Sequence, residues 1–354
     1  MADEKHQRGI TSEFKEQLKS GILFPILQRV QHDDTLSLEI RNGYIDIYYR
    51  GGRLLGIHAQ AKAAKFSVRL DDGYLHGAKG YCPEWPELPG STIECDSDAQ
   101  AWVDAFATCK QVMDIWFFEH PKIEREYQQA VVRENNRHKT GDLSDYVVVD
   151  VEYSQSAYAV PGQKTGYRFD MVGLRWPAKG KTRRSRLVTP VIMEMKVGDG
   201  ALATRPDKKD PAKLSPGLAK HVKDIERFLA PQPGKKRSEP YDLLCEELVE
   251  MFETKKRLDL PCLPKRMKGL TISDEDVSDR PEVLFILAGH QPASKALEQE
   301  LERLPLRVFA DYGVAIASYA GYALFADNVI PLDDFVKRGL ANPQCKALWH
   351  PASG

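Results

Sequence analysis

The stretch Pro190-Val191-Ile192-Met193-Glu194-Met195-Lys196-Val197-Gly198 constrains the fold of this chain more than any other. Its Val, Ile and Met content specifies a strand. Successive side chains of a strand point to opposite faces, so Glu194 and Lys196 share one face while Met193, Met195 and Val197 point into the packing. A further acid, Asp170, lies within a second strand-like segment, Tyr167-Arg168-Phe169-Asp170-Met171-Val172-Gly173. Burying two acids and an amine among apolar strands is costly unless every charge has a partner. A bound divalent cation would be one such partner.

The 354 residues suggest two domains at roughly 150 residues each. With 50 Lys+Arg against 51 Asp+Glu and 42% hydrophobic residues, the composition is that of a soluble globular protein. The longest apolar run, Val283 to Ala288, falls far short of the roughly 18 residues needed to span a bilayer. The segment Met1 to Lys19 is polar and charged, without the order of a signal peptide, so a cytoplasmic protein with no membrane partner is expected. Six cysteines carry no C-x-x-C pair, which argues for reduced thiols rather than a zinc site or disulfide framework.

The near-neutral total conceals a local field. Between Arg175 and Arg227 stand 14 Lys/Arg and 6 Asp/Glu. Such an excess is read either as a solvated charged face or as a basic groove in an otherwise acidic protein. Its densest part is the loop with Lys179, Lys181, Arg183, Arg184 and Arg186, suited to meet a phosphate backbone. Gly180-Lys181-Thr182 is no nucleotide-binding loop, because Arg175 stands where that motif needs glycine and no helix follows.

The order of elements follows from periodicity. A helix around Thr11 to Gln28 precedes an antiparallel meander over Leu36 to Arg69, with turns at Asn42-Gly43 and Gly51-Gly52. Helical spacing resumes from about Asp98 to Phe118, and a boundary is set near His120. The expected division is 1–120, an accessory region of β meander plus helices, and 121–354. From Pro121 the reading is a helix to about Arg137 and strands Tyr146 to Tyr153, Tyr167 to Trp176 and Val191 to Val197. A helix Pro216 to Leu229 follows, with an apolar stripe of Leu218, Val222, Ile225 and Leu229. A helical insertion around 234–279, a strand Val283 to Ala288, a helix Ser294 to Leu304 and strands around Val314 to Phe325 complete a mixed α/β, α-β-β-β-α-β core.

Asp170 on the second of these strands, with Glu194-x-Lys196 on the third, resembles the signature of the PD-(D/E)XK nuclease superfamily. The resemblance covers about Pro121 to Phe325, and Phe169 stands where the motif usually has proline. It implies a restriction-endonuclease-like fold and a metal-dependent nuclease leaving 5′-phosphate and 3′-hydroxyl ends. Asp170, Glu194 and the carbonyl of Met195 would hold Mg²⁺ or Mn²⁺, and Lys196 would serve the attacking water or the phosphorane. The superfamily also places an acid on the first core helix. Glu126 is chosen because it borders the stripe Ile123, Tyr127, Ala130 and Val131 in the N-terminal half; the alternative is a surface glutamate.

Two further positions stay open. Asp150 and Glu152 share a face and would hold a second metal, or else are solvated on an outer strand, which is the favoured alternative. His221 flanks the stripe of its helix, either beside the metal or phosphate or as a structural histidine. The expected partner is nucleic acid, DNA before RNA, in defence against foreign DNA or in repair. A homodimer or accessory protein is a further expected partner. The rival is a non-catalytic nucleic-acid-binding module on the same fold.

Overall fold

The computed structural model describes residues 8–61, 64–79, 87–137, 141–155, 158, 166–177, 188–205, 217–260, 263–289, 295–305, 308, 311–317, 324 and 329–337. The basic loop 179–186 lies outside them. The chain is mixed α/β with two sheets. It divides into two compact units, residues 1–137 with 249–271, and residues 138–248 with 272–354. The division therefore falls after the helix expected to open the second domain, and not at 120.

The first unit begins with α1 (Ser12–Lys19) and α2 (Phe24–Gln31). Five strands follow, β1 (Leu36–Ile40), β2 (Tyr44–Tyr49), β3 (Gly52–Ala59), β4 (Phe66–Arg69) and β5 (Thr92–Ile93), antiparallel in that spatial order. Helices α3 (Asp72–Lys79), α4 (Asp96–Glu119) and α5 (Ile123–Asn136) follow, and residues 249–271 complete the unit. Alternation sends Leu38, Ile47, Ile57 and Val68 to one face, where all are buried, and α4 contributes Trp102, Phe106, Met113 and Phe117 to the core. The turn between β2 and β3 is made by Arg50 and Gly51, both at positive φ, one residue earlier than Gly51-Gly52. Gly51 has no room for a side chain, since a Cβ would stand 2.3 Å from that of Arg125.

α5 buries a different stripe from the one its apolar residues suggest. Ile123 is 51% exposed, while Gln128, Val131, Val132 and Asn135 are buried. The reason is polar docking: Gln129 accepts the Gly51 N–H, and Arg137 just beyond the helix donates to the carbonyls of Val30 and Leu36. A side chain that satisfies backbone carbonyls is buried without being apolar.

The second unit is built on β6 (Tyr146–Gln155), β7 (Tyr167–Arg175), β8 (Thr189–Val197), α6 (Leu218–Leu229), α7 (Glu239–Arg257), β9 (Glu282–Ala288), α8 (Lys295–Leu301), β10 (Tyr312–Ala317), β11 (Ile330–Pro331) and α9 (Leu332–Lys337). The sheet order is β11-β10-β9-β8-β7-β6. β6, β7 and β8 are antiparallel, whereas β8, β9 and β10 run parallel and so need crossover connections. β8 lies between β7 and β9 and is buried along its length apart from its ends. α7, the expected insertion, starts in this unit, but its residues from Val249 onward belong to the first. Among the described residues no helix is long and apolar enough to cross a membrane. Cys109 and Cys245 are free and buried, and Cys95 is free and exposed.

Candidate active site

The sheet splits where the charges are. β7 and β8 pair from Arg175 opposite Thr189 to Met171 opposite Met193, and the ladder stops there. One residue further, the Asp170 carboxylate accepts the backbone N–H of Met195 at 2.8 Å. The side chain occupies the position a strand carbonyl would otherwise take, which fixes Asp170 against β8.

Glu194 is fully buried and Lys196 is 5% exposed. Lys196 Nζ stands 3.8 Å from Glu194 Oε2, and His221 Nδ1 on α6 stands 3.0 Å from the same oxygen. Glu194 and Lys196 are flanked on β9 by Phe285 and Leu287, so the charges are set into an apolar sheet. Burial and the repulsion of Glu194 push the Asp170 carboxyl up to about 7, against the pull of Lys196, the Met195 N–H and His221. Burial, and then the Lys196 charge, lower His221 to about 4, against the attraction of Asp170. The ring is therefore neutral at pH 7, and its buried Nε2 has no hydrogen-bond partner among the described residues.

α6 holds His221 because its apolar stripe anchors the helix, with Leu218, Val222, Ile225 and Phe228 buried. Phe228 takes the end position expected of Leu229. Its first turn is fastened by Glu300 on α8. That carboxylate accepts the N–H of Ala219 at 3.0 Å, the N–H and hydroxyl of Thr204 at 2.8 and 2.6 Å, and the Arg303 guanidinium at 2.7 Å. The sequence gives little warning of this role, since Glu300 is one of several acids on a polar helix.

Of the residues read from sequence, Asp170, Glu194, Met195, Lys196 and His221 come together. Glu126 belongs to the first unit, where the Arg50 guanidinium bonds its Oε1 at 2.8 Å while also reaching Asp114 at 2.7 Å. The two-residue turn at Arg50 and Gly51 brings the Arg50 guanidinium to this acid of α5. Asp150 is fully buried, contrary to the solvated position favoured for it, because β6 is covered on both faces from Tyr146 to Val151 although it is an outer strand of the sheet. Glu152 has positive φ and pairs with Arg168 at 3.3 Å. Lys179, Lys181, Arg183, Arg184 and Arg186 lie outside the described residues.

Two buried carboxylates, one of them with its proton affinity raised by burial and by the other's charge, are a donor set that suits a hard divalent cation with water completing its shell. Among the described residues no group of three or more His, Cys, Asp or Glu side chains is arranged to hold a metal ion. The fit thus rests on the carboxylates of Asp170 and Glu194. Comparison with known proteins gives no match to a family model, a curated protein or a solved structure.

Proposed function

We propose that this chain is a metal-dependent nuclease of the PD-(D/E)XK type, with a restriction-endonuclease-like core, acting on nucleic acid in the cytoplasm. The observation that carries the proposal is the convergence of Asp170, Glu194, Lys196 and His221 at the point where β7 and β8 part. Asp170, Glu194 and the Met195 carbonyl would hold Mg²⁺ or Mn²⁺. Such an ion supplies a Lewis acid for a scissile phosphate and makes a bound water acidic. Lys196, beside Glu194, donates to the attacking water or to the charge growing on the phosphorus oxygens. His221 orients the Glu194 carboxylate and keeps a neutral Nε2 lone pair available. The loop 179–186 supplies backbone contacts, with DNA favoured over RNA and defence or repair as the biological setting.

A second reading, nucleic-acid binding by the same core with an idle site, is favoured by the absence of a three-side-chain metal group among the described residues. Cleavage of plasmid, linear DNA and RNA with and without Mg²⁺ separates the two. Metal-dependent cutting that disappears in Lys196→Ala, with nucleic-acid binding retained, supports the nuclease. Binding without cutting under every metal condition refutes it.

A further inference from the structure

The polar face of the sheet in the first unit carries a feature that the proposed nuclease site does not use. Residues paired across strands share a face. Tyr44, His58, Ser67 and Thr92 form one row across β2 to β5, and Asp46, Gly56 and Arg69 form the next. The other face of the same strands is the apolar core. Over the rows lies an open groove of about 450 Å³, within the range of small-ligand sites. Its polar lining is His58, Gln60, Ser67, Arg69, Ser91 and Thr92, with no carboxylate among them.

The charges around it are unequal. Asp46 is 4% exposed and is held by Arg41 at 3.5 Å and Arg53 at 3.9 Å, while Glu94 is paired with Lys65. Arg69 is exposed and makes no ion pair among the described residues. Gly56 keeps the floor between Asp46 and Arg69 low. A Cβ there would stand 3.6 Å from His58 Nε2. The His58 ring is backed by Tyr44, stacked at 4.2 Å, which gives the groove a flat aromatic wall. The one carboxylate beneath the floor of the groove, Asp46, is buried and faced by Arg41 and Arg53, and a guanidinium, three hydroxyls and an amide line the groove. A flat ring beside them offers a surface to a base.

We infer that this groove binds a nucleotide unit, with its phosphate at Arg69, Ser67 and Thr92 and its base against the His58 ring that Tyr44 backs. The inference goes beyond the nuclease reading, because it concerns a different unit and requires no chemistry at Asp170 or Glu194. The same chemistry is offered by a free nucleotide and by a single strand, and the test distinguishes them.

Full-length protein in EDTA is titrated against 5′-fluorescein-labelled dT12 and rU12 by fluorescence anisotropy over a range of salt, with AMP as competitor. Arg69→Ala should weaken strand binding about ten-fold, as expected for loss of a charge-assisted bond, and lower the salt slope by about 0.7. Ser67→Asp, which sets a carboxylate in the centre of the groove, should weaken it at least as much. Unchanged melting temperatures in both variants establish that the fold is intact. Displacement of the strand by AMP from wild type assigns a free-nucleotide site, and no displacement assigns a strand site. Absence of binding, or affinities and slopes equal in all three proteins, overturns the inference. Because metal is absent, the result is independent of cleavage, so an inactive nuclease site with a working groove, or the reverse, is read directly.

Discussion

Asp170→Asn in the metal-free protein should change the pH dependence of stability more than stability itself. The Asp170 carboxyl rises from 3.8 to about 7 on folding. A raised folded value means that protonation favours the folded state. The associated stability is complete below about pH 4 and is lost as the pH climbs through 7. At 1.36 kcal/mol per unit the loss is about 4 kcal/mol. Asn carries no charge, so it abolishes the loss while its oxygen still accepts the Met195 N–H. Its amide NH₂ needs a partner, which lowers the variant by about 1–3 kcal/mol at every pH. The difference between variant and wild type should therefore grow by about 4 kcal/mol from pH 4 to pH 8, whatever its value at pH 4. His221, lowered to about 4, works in the opposite sense: its contribution is lost as the pH falls below 6.5, and the variant, without the Asp170 charge that favours the protonated ring, only adds to the difference in the same direction. Urea unfolding in EDTA at half-unit steps measures the difference. A flat difference across this window would refute the electrostatic account of the site. Added Mg²⁺ should then stabilise wild type and not the variant.

Lys196→Ala removes the cation that depresses His221, so the His221 titration followed by NMR should move up and the ring should take over the pairing with Glu194. The stability loss should then stay below the roughly 3–5 kcal/mol of a stranded buried charge, and a larger loss in thermal unfolding would show that Lys196 is structural. Glu300→Gln should cost about 2–4 kcal/mol, since it weakens charge-assisted bonds to Thr204, Ala219 and Arg303, and chemical denaturation checks it. Replacing Arg183, Arg184 and Arg186 together should weaken binding to all sequences alike and flatten the salt dependence, while an unchanged slope removes the loop from the interface.

Although it read α1 and α2 as one helix and passed over α3, β5 and α9, the sequence by itself determined most strands of both sheets, the apolar faces of those strands and the grouping of Glu194, Lys196 and Asp170. These follow from local periodicity: a strand alternates and a helix repeats near 3.6, so the pattern of apolar residues reports the element and its buried side directly. His221 was readable for the same reason, as a polar residue bordering the stripe of α6. What periodicity does not encode is which unit an element packs into and which polar groups are buried. α5 joins the first unit through Gln129 and Arg137, so Glu126 meets Arg50, a residue 76 positions away whose orientation depends on a two-residue turn. Asp150 is buried because both faces of β6 are covered around it, and Glu300 fastens α6 from another helix. Each outcome is decided by contacts between groups far apart in the chain. A buried carboxylate and a solvated one are the same letter until the donors around it are in place.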